Sequence, residues 1–439
     1  MKRILLVVLA FFSLFLLNAQ DRTEKIRIIT VEDAVILAAD NNISLKRQRI
    51  TLDTLERRNK TSWNSVSPSL SLSGGLTKPL DGIVTDMEAQ IKYSYNVGAS
   101  ARLSLTPSLY TSIKDASLKY ESGKTSYEEA VRLIELNVRK LFYSLLYTKE
   151  SMNLQRRNME TARIRYENNR DKYNRGQLSE LDLLQSQYSY ESLRPNIESA
   201  EIAYQNSIAS FKQTLGISQD EKIELSGSLA DAIPPESFSV NQAVDELPAI
   251  KKIKASIAQQ ENSLLATRFT AYGPSVTASY SWGMNGNDKT EEFKKGQESH
   301  SLSLSVNIPL DGYIPWTNSS QNVTNQKATL KDLKLQLENE RTTASLNLQN
   351  SIKNILQKQS QIDMLNRNVE LAQKTYDMTL TAYNHGSRDL FTLQNSADSL
   401  LKAKTDRESK IYDLICAVLD LENTLGLPFG TLGNNSMDN

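Results

Sequence analysis

The chain is built from two related halves, and this duplication limits the folds open to it more than any other feature of the sequence. The segment YNRGQLSELDLLQS (173–186) matches YNHGSRDLFTLQNS (383–396), and the match continues without a gap to a Leu-Gly-Ile or Leu-Gly-Leu triplet near the end of each half. Upstream, SPSLSLS (67–73) corresponds to GPSVTAS (273–279) with a small shift. Each half is therefore predicted to run in the order helix, two strands, helix, helix.

Four segments alternate apolar residues with small or polar ones, which is the pattern of β-strands that have one apolar face. In the longest, YSYNVGASARLSLT (93–106), the alternation is unbroken. Shorter segments of the same kind lie at 70–73, 276–284 and 302–308. Proline disfavours regular pairing and helix alike, and one proline stands at each junction between strand and helix: Pro68, Pro107, Pro274 and Pro309. The sequence predicts two β-hairpins, 69–107 and 275–309, inserted between helices.

The remaining sequence predicts unusually long helices. In the first half the heptad a positions stay apolar or aromatic as far as Tyr173, and a matching seam in the second half ends at Tyr383, which is the pattern of coiled-coil packing. Residues 111–174 alone would extend about 96 Å at the helical rise per residue. Pro195, whose counterpart is Thr405, is expected to bend only the returning helix of the first half.

The amino terminus predicts export. In residues 1–20, Lys2 and Arg3 precede an apolar run that ends at Asn18, which is typical of a signal peptide and too short to span a bilayer. No later stretch is long and apolar enough for a membrane helix. The other charges nearly balance, so the composition favours no partnership with nucleic acid. The single cysteine, Cys416, excludes an internal disulfide.

Two interpretations of the strands are open on the pattern alone. In a soluble sandwich, the apolar face of each hairpin would pack on a partner sheet. In an outer-membrane barrel, that face would meet lipid, and the long polar tips 77–90 and 285–300 would lie outside. Four strands cannot close a barrel, and open edges in lipid leave backbone groups without partners. Two copies would make too narrow a barrel, so three chains are expected to share one of twelve strands.

With these elements in order, the sequence resembles the TolC-like outer-membrane efflux proteins. The resemblance rests on the two-half repeat, the VEDAV opening of the first helix (31–35), the Pro-Ser-Leu start of one strand and the Asn-Ile-Pro-Leu exit from another. It also rests on the paired Tyr-Asn-x-Gly motifs, each followed by Leu-Gly. The resemblance covers nearly all of the mature chain. One departure is that the usual Asn-Pro after the first helix opening reads Asn42-Ile43 here.

The resemblance implies an α+β membrane protein of the bacterial outer membrane that extends into the periplasm. Long antiparallel helices would form a coiled-coil α-barrel, and four strands per chain would contribute to a shared 12-stranded β-barrel of a homotrimer in outer-membrane lipid. Such proteins are exit ducts of tripartite efflux or type I secretion systems, which dock onto a periplasmic adaptor protein and an inner-membrane transporter. They need no cofactor and no metal. The implied organisation is a signal peptide (1–20), a first efflux repeat (21–217), a linker (218–239), a second repeat (240–427) and a flexible tail (428–439).

The family also suggests a gate. Its conserved helix turns form the periplasmic tip that docks partners and opens like an iris, and here these turns carry Gly176 and Gly386. Asp182 stands where family members carry an Asp that pairs with a Tyr and an Arg of the second half, which map onto Tyr383 and Arg388. A charge-assisted lock between helix pairs is one interpretation. The other is that Asp182 and Arg388 are solvated first-turn residues, whose exposed pairing would contribute about 0–1 kcal/mol.

The tunnel mouth departs from the family pattern. The acidic rings of family members correspond here to Thr392 and Asn395, which are both neutral. The sequence therefore does not decide whether the tunnel mouth has a cation-sensitive constriction. Asp389 or Glu180 could supply negative charge nearby.

Two other classes of function compete with a conduit. A non-channel coiled-coil tether or adhesin of the cell envelope would share the signal peptide and the helices, but it gives no reason for hairpins bounded by proline to recur in both halves. An enzyme finds little support, because the only histidines, His300 and His385, lack carboxylates or cysteine at metal-ligand spacing. No phosphate-binding Gly loop or nucleophile elbow appears either. The sequence therefore assigns no catalytic residue.

Overall fold

The computed structural model of the protein describes residues 26–78, 93–234, 244–288 and 296–432. Within these ranges the α-helices are α1 Val31–Asn41, α2 Ile43–Lys60, α3 Ser108–Asn174, α4 Glu180–Glu191, α5 Arg194–Leu215, α6 Pro248–Tyr272, α7 Asn318–Asn384 and α8 Leu390–Leu425. The strands are β1 Arg27–Ile29, β2 Ser69–Thr77, β3 Tyr93–Leu105, β4 Ile223–Leu225, β5 Ser275–Asp288 and β6 Gln297–Asn307. The predicted signal peptide (1–20) lies outside the described residues, as do most of the first strand tip and part of the second.

The prediction of very long helices is confirmed, since α3 and α7 each contain 67 residues. The predicted heptad seam is their packed side. Five of its a positions are buried: Val138, Leu145 and Met152 in α3, and Ile355 and Ile362 in α7. Periodic apolar residues therefore hold these helices by packing along their length, as in a coiled coil.

The returning helices differ as predicted. In the first half the helix is interrupted between α4 and α5, and Pro195 occupies the first turn of α5, where a missing amide hydrogen costs no helical bond. In the second half α8 continues through Thr405 for 36 residues. The proline therefore stands at an interruption that only the first half has, and the bend itself stays a prediction.

The first helix of the sequence is two helices in the structure. Thr30 and Asp33 form a capping box that starts α1, with the backbone N–H of Asp33 donating to Thr30 Oγ1 at 3.2 Å. Asn42 separates α1 from α2. Its Oδ1 accepts the backbone N–H of Ser44 at 2.9 Å, and its Nδ2 donates to the carbonyl of Thr214 at 2.9 Å. Asn42 therefore separates the two helices although the residue after it is Ile43 and not a proline.

The chain folds into two compact units that do not coincide with its two repeats. Among the described residues, the helical unit comprises those within 1–47, 129–242 and 345–439, and the sheet unit comprises those within 48–128 and 243–344. Each unit takes corresponding segments from both halves of the sequence. The duplication is therefore visible inside each unit, and neither repeat is a unit by itself.

In the helical unit, β1 and β4 form a two-stranded parallel sheet that pairs Ile29 with Leu225. Both of these side chains are buried, as are Phe142 and Phe211, whose ring centroids lie 6.3 Å apart. This small sheet was not predicted, because strands of three residues are too short to show a periodic pattern. It adds the described part of the predicted linker to the core of the unit.

The start of the predicted carboxy-terminal tail packs on α8. The fully buried carboxylate of Glu422 accepts the backbone N–H groups of Gly430 at 3.0 Å and Leu432 at 2.8 Å. Arg132 lies over the ring of Phe429, 5.2 Å from its centroid. Burial raises the pKa of the Glu422 carboxyl, and the two amide donors oppose that shift. Residues 428–432 are therefore held in place rather than free, and residues 433–439 lie outside the described part of the chain.

The sheet unit contains one antiparallel sheet in the order β2-β3-β5-β6. Both predicted hairpins are confirmed, and the pairing of β3 with β5 joins them. The prolines flank the strands as predicted: Pro68 and Pro274 immediately precede β2 and β5, and Pro107 and Pro309 are the second residues after β3 and β6. The order leaves β2 and β6 as the two edges of the sheet.

We expect Glu422→Ala to release the segment that follows α8. The change removes the acceptor of two backbone amides, and an unsatisfied buried donor costs about 1–3 kcal/mol. Timed carboxypeptidase digestion followed by mass spectrometry should show faster removal of residues beyond 427. Asp420→Ala is the matched control, because its ion pair with Lys140 is on the surface and contributes about 0–1 kcal/mol. Equal digestion of the two variants would contradict this role of Glu422.

Candidate functional site

The register of the four-stranded sheet separates its side chains into two chemically different faces. One row that crosses all four strands is apolar: Leu70, Ala101, Tyr280 and Leu302. The next row consists only of serine: Ser71, Ser100, Ser281 and Ser301. Successive residues of a strand point to opposite sides of the sheet. We call the two sides the apolar face and the serine face after these rows.

The apolar face is open in the single chain. The exposed fractions are 79% for Leu70, 80% for Leu72, 82% for Leu302 and 73% for Leu304. A soluble sandwich would cover these side chains with a partner sheet, and the sheet unit has no second sheet among its described residues. The soluble interpretation of the hairpins is therefore not the one that the chain adopts by itself.

The serine face is bound together by hydroxyl groups. Cross-strand hydrogen bonds join Ser71 to Ser100 at 2.7 Å and Ser281 to Ser301 at 2.8 Å. Such pairs satisfy part of the hydrogen-bonding capacity of the hydroxyls and leave the rest available to water. This face suits contact with water, whereas the apolar face suits contact with hydrocarbon.

Large aromatic side chains are exposed where the sheet meets the helices. They precede β2 or follow β3 and β6, with exposed fractions of 61–83%: Trp63, Tyr110, Tyr313 and Trp316. Aromatic residues with a polar group are typical of the interface between a bilayer and water. Among the described helices, none is both long enough and apolar enough to cross a membrane. The open apolar face and these aromatic residues make the sheet suited to contact with lipid.

The helix turns of the two halves have the same geometry. Gly176 has φ +70° and Gly386 has φ +74°, a left-handed conformation that side chains with a Cβ rarely adopt. In the first turn, the N–H of Gly176 donates to the carbonyl of Tyr173 at 2.8 Å, and the next N–H donates to Lys172 at 2.9 Å. The second turn repeats both bonds at 2.9 Å. This is the Schellman motif, and it explains the Tyr-Asn-x-Gly sequence of both turns.

The structure does not bring the three residues of the suggested gate together within one chain. The carboxylate of Asp182 accepts the hydroxyl of Ser179 at 2.6 Å, and the backbone N–H of Asp182 donates back to that hydroxyl at 3.2 Å. Tyr383 donates to Asn169 Oδ1 at 3.2 Å. Among the described residues, Asp182 and Arg388 form no ion pair with each other. Ser179 is the N-cap of α4, and the Asp182 carboxylate is engaged by the hydroxyl of that cap. The gate assignment stays a prediction.

Asn169 is a candidate that sequence reasoning passed over. It stands at a d position of the α3 seam, one turn before the helix ends, and only 1% of its surface is exposed. Its Oδ1 holds Tyr383, and its Nδ2 has no partner. Heptad d positions are usually apolar, so an asparagine there was the sequence signal that could have identified this residue. Asn169 and Tyr383 link the ends of α3 and α7.

The second turn carries negative charge close to Thr392 and Asn395. Asp389 is the N-cap of α8, and the backbone N–H of Thr392 donates to its Oδ1 at 2.6 Å. This hydrogen bond lowers the pKa of the Asp389 carboxyl, so the group stays ionised. Glu180 lies in the exposed first turn of α4. The described residues contain no cluster of three or more His, Cys, Asp or Glu that could hold a metal ion.

A small sheet with one lipid-suited face, joined in sequence to very long helices, defines a membrane-embedded export protein. The chain belongs to the outer membrane efflux protein family, whose sequence profile it matches over residues 35–217 and 240–427. It is therefore an efflux protein of the outer membrane that extends into the periplasm. Its family and fold are those of channels and not of enzymes. A comparison with curated protein sequences finds no match to this chain.

Solved structures share this fold over nearly their whole length. The Campylobacter jejuni CmeC outer membrane channel is similar with a TM-score of 0.71 and 17% identity, over 93% of this chain and 87% of that one. The open state of the Neisseria gonorrhoeae MtrE outer membrane channel is similar with a TM-score of 0.70 and 18% identity, over 90% of this chain and 89% of that one. The outer membrane protein VceC from Vibrio cholerae is similar with a TM-score of 0.70 and 13% identity, over 91% of this chain and 96% of that one.

A charge on the apolar face should prevent assembly in the membrane. We expect Leu302→Arg to deplete the protein from the outer-membrane fraction, because arginine facing lipid near the bilayer centre costs about 2–4 kcal/mol per chain. Ser301→Arg is the matched control, since it places the same side chain one residue away on the serine face. Fractionation and immunoblotting measure both. Equal amounts of the two variants in the outer membrane would show that the apolar face does not meet lipid.

Proposed function

We propose that three copies of the chain assemble into a passive exit duct. The observation that carries this proposal is the sheet itself, with an exposed apolar face and unpaired edges at β2 and β6. In hydrocarbon each unpaired backbone group costs several kcal/mol, so the edges must be covered by further strands. Three copies supply twelve strands, enough for a barrel with a water-filled lumen. The serine faces would then line that lumen.

The same proposal gives the helices and turns their roles. The long helices of three copies would enclose a tunnel through the periplasm. The turns at Gly176 and Gly386 would meet a periplasmic adaptor protein, which connects the duct to an inner-membrane transporter of an efflux or type I secretion system. The transporter supplies the energy, so the duct needs no catalytic group and no cofactor.

The assembly is tested by stoichiometry and conductance. We expect the purified protein to be a trimer in detergent by light scattering or native mass spectrometry, and to form ion-conducting pores in planar bilayers. Leu302→Arg, refolded in detergent, is the control that should insert poorly. A stable monomer without pores would overturn the proposal and would favour a tether or adhesin, which salt or urea would release from the cell envelope.

We further propose that Asp182, Tyr383 and Arg388 restrain the duct at its tip. Asp182 and Arg388 both lie within six residues of a tip turn in sequence, and each carries a charge opposite to the other. The bond from Tyr383 to Asn169 supports a restraint at these helix ends. A pairing of Asp182 with Arg388 would require a neighbouring copy or another state of the tip. Charge-assisted hydrogen bonds of this kind are stronger than neutral ones.

The gate is tested by removing the charges. We expect the double variant Asp182→Ala with Arg388→Ser to raise single-pore conductance in planar bilayers and the entry of large antibiotics into cells. Ser179→Ala is the matched control, because it removes the hydroxyl that caps α4 but keeps the charge of Asp182. An equal rise with Ser179→Ala would assign the effect to helix capping, and no rise in the double variant would remove Asp182 and Arg388 from the gate.

A further inference from the structure

Arg102 occupies a singular position in the four-stranded sheet. Its row across the sheet contains Ser69 on β2, Ser279 on β5 and Ser303 on β6, so Arg102 belongs to the serine face. The register assigns every other described side chain on this face of the four strands to serine, threonine, asparagine, glutamine or glycine. Within the described side chains of the sheet, Arg102 is the only charged residue on the serine face.

The charge of Arg102 is not neutralised locally. The side chain is exposed, and among the described residues no carboxylate forms an ion pair with its guanidinium. Its backbone carbonyl accepts the hydroxyl of Ser69 at 3.2 Å, a bond that leaves the guanidinium free. The acidic residue Glu298 pairs with Met284 and therefore lies on the apolar face. The guanidinium is a permanently charged group in a neutral field of hydroxyls.

We propose that Arg102 gives the β-barrel lumen a preference for anions. The inference rests on the proposed function, because it requires that three serine faces line one lumen. Three copies of Arg102 would then form a ring of positive charge close to the strand ends that meet the helices. Arg102 is the third residue before the end of β3. Small anions, or cargo with carboxylate or phosphate groups, would concentrate at this ring.

The physical basis is simple fixed-charge selectivity. Serine hydroxyls can both donate and accept hydrogen bonds and carry no net charge, so they can contact either cations or anions. A ring of guanidinium groups adds a field that counter-ions screen over about 30 Å at 0.01 M salt but only about 3 Å at 1 M salt. The ring should therefore act across a wide lumen at low ionic strength and lose its effect at high ionic strength.

The first test measures reversal potentials in planar bilayers under a KCl gradient at low ionic strength. The unchanged protein should favour chloride more than Arg102→Gln does, and Arg102→Lys should keep the preference because it keeps the charge. The difference between the unchanged protein and Arg102→Gln should vanish at about 1 M salt, where screening is complete. Identical reversal potentials for the three proteins at low salt would overturn the inference while leaving the pore intact.

The second test changes the charge in a pore that has already formed. Arg102→Cys in a Cys416→Ser background should conduct, and an anionic methanethiosulfonate reagent added to the pore should shift its reversal potential toward cations. A cationic reagent, added instead to pores that have not been treated, should restore the preference for anions. Leu103→Cys in the same background is the matched control, because it is adjacent in sequence but lies on the apolar face, where neither charged reagent should act.

The outcomes separate this inference from the function on which it rests. A reversal potential that shifts with position 102 and not with position 103 supports both. If the pore conducts but its reversal potential does not change with the charge at position 102, only the role of Arg102 is overturned. If the same reagents changed the reversal potential at position 103, the apolar face would line the lumen. That result would also overturn the role of Arg102. If the unchanged protein formed no pore, the proposed function would fail, and the inference would fail with it.

Discussion

Backbone hydrogen bonding at the edges of one four-stranded sheet is the constraint on which the rest of the molecule depends. The register gives the sheet a face that is mostly apolar, and its order leaves β2 and β6 unpaired on one side. A sheet of this kind is unfavourable in water because of its face and unfavourable in lipid because of its edges. Closure with further copies satisfies both demands, and a closed barrel of such strands encloses the hydroxyl-rich face. The membrane location, the proposed trimer and the chemistry of the lumen all follow from it.

The duplication organises the helices differently from the way it organises the sequence. Corresponding pieces of the two repeats come together in each compact unit, so that α3 and α7 share one kind of seam and their turns share one Schellman motif. The two turns are not identical in detail. Serine caps α4 and interacts with Asp182, whereas Asp389 caps α8 and accepts the amide of Thr392. The hydroxyl and the carboxylate therefore occupy exchanged positions in the two halves, while the turns before them have the same backbone conformation.

Some of the site could be predicted from sequence because it depends on neighbouring residues. The strand limits follow from Pro68, Pro107, Pro274 and Pro309, and the turns follow from Gly176 and Gly386, since proline and glycine act on the backbone at their own positions. The partner of Tyr383 could not be predicted in this way. Asn169 is far from it in sequence, and only the packing of α3 with α7 brings the two side chains to 3.2 Å. The burial of Glu422 could not be predicted either, because it depends on the packing of the segment after α8, whose Gly430 and Leu432 amides donate to its carboxylate.

The sequence by itself determined the two-half repeat, the periodicities of helix and strand, and the proline and glycine positions at which the hairpins and the longest helices end. These are local properties, set by side-chain spacing and by backbone conformations that proline and glycine restrict. The tertiary structure alone decided that β3 pairs with β5, that neither repeat forms a compact unit, and that Arg102 lies in a row of serines. Such pairings depend on contacts between residues distant in the chain, and a shift of one residue in register would have put Arg102 on the apolar face.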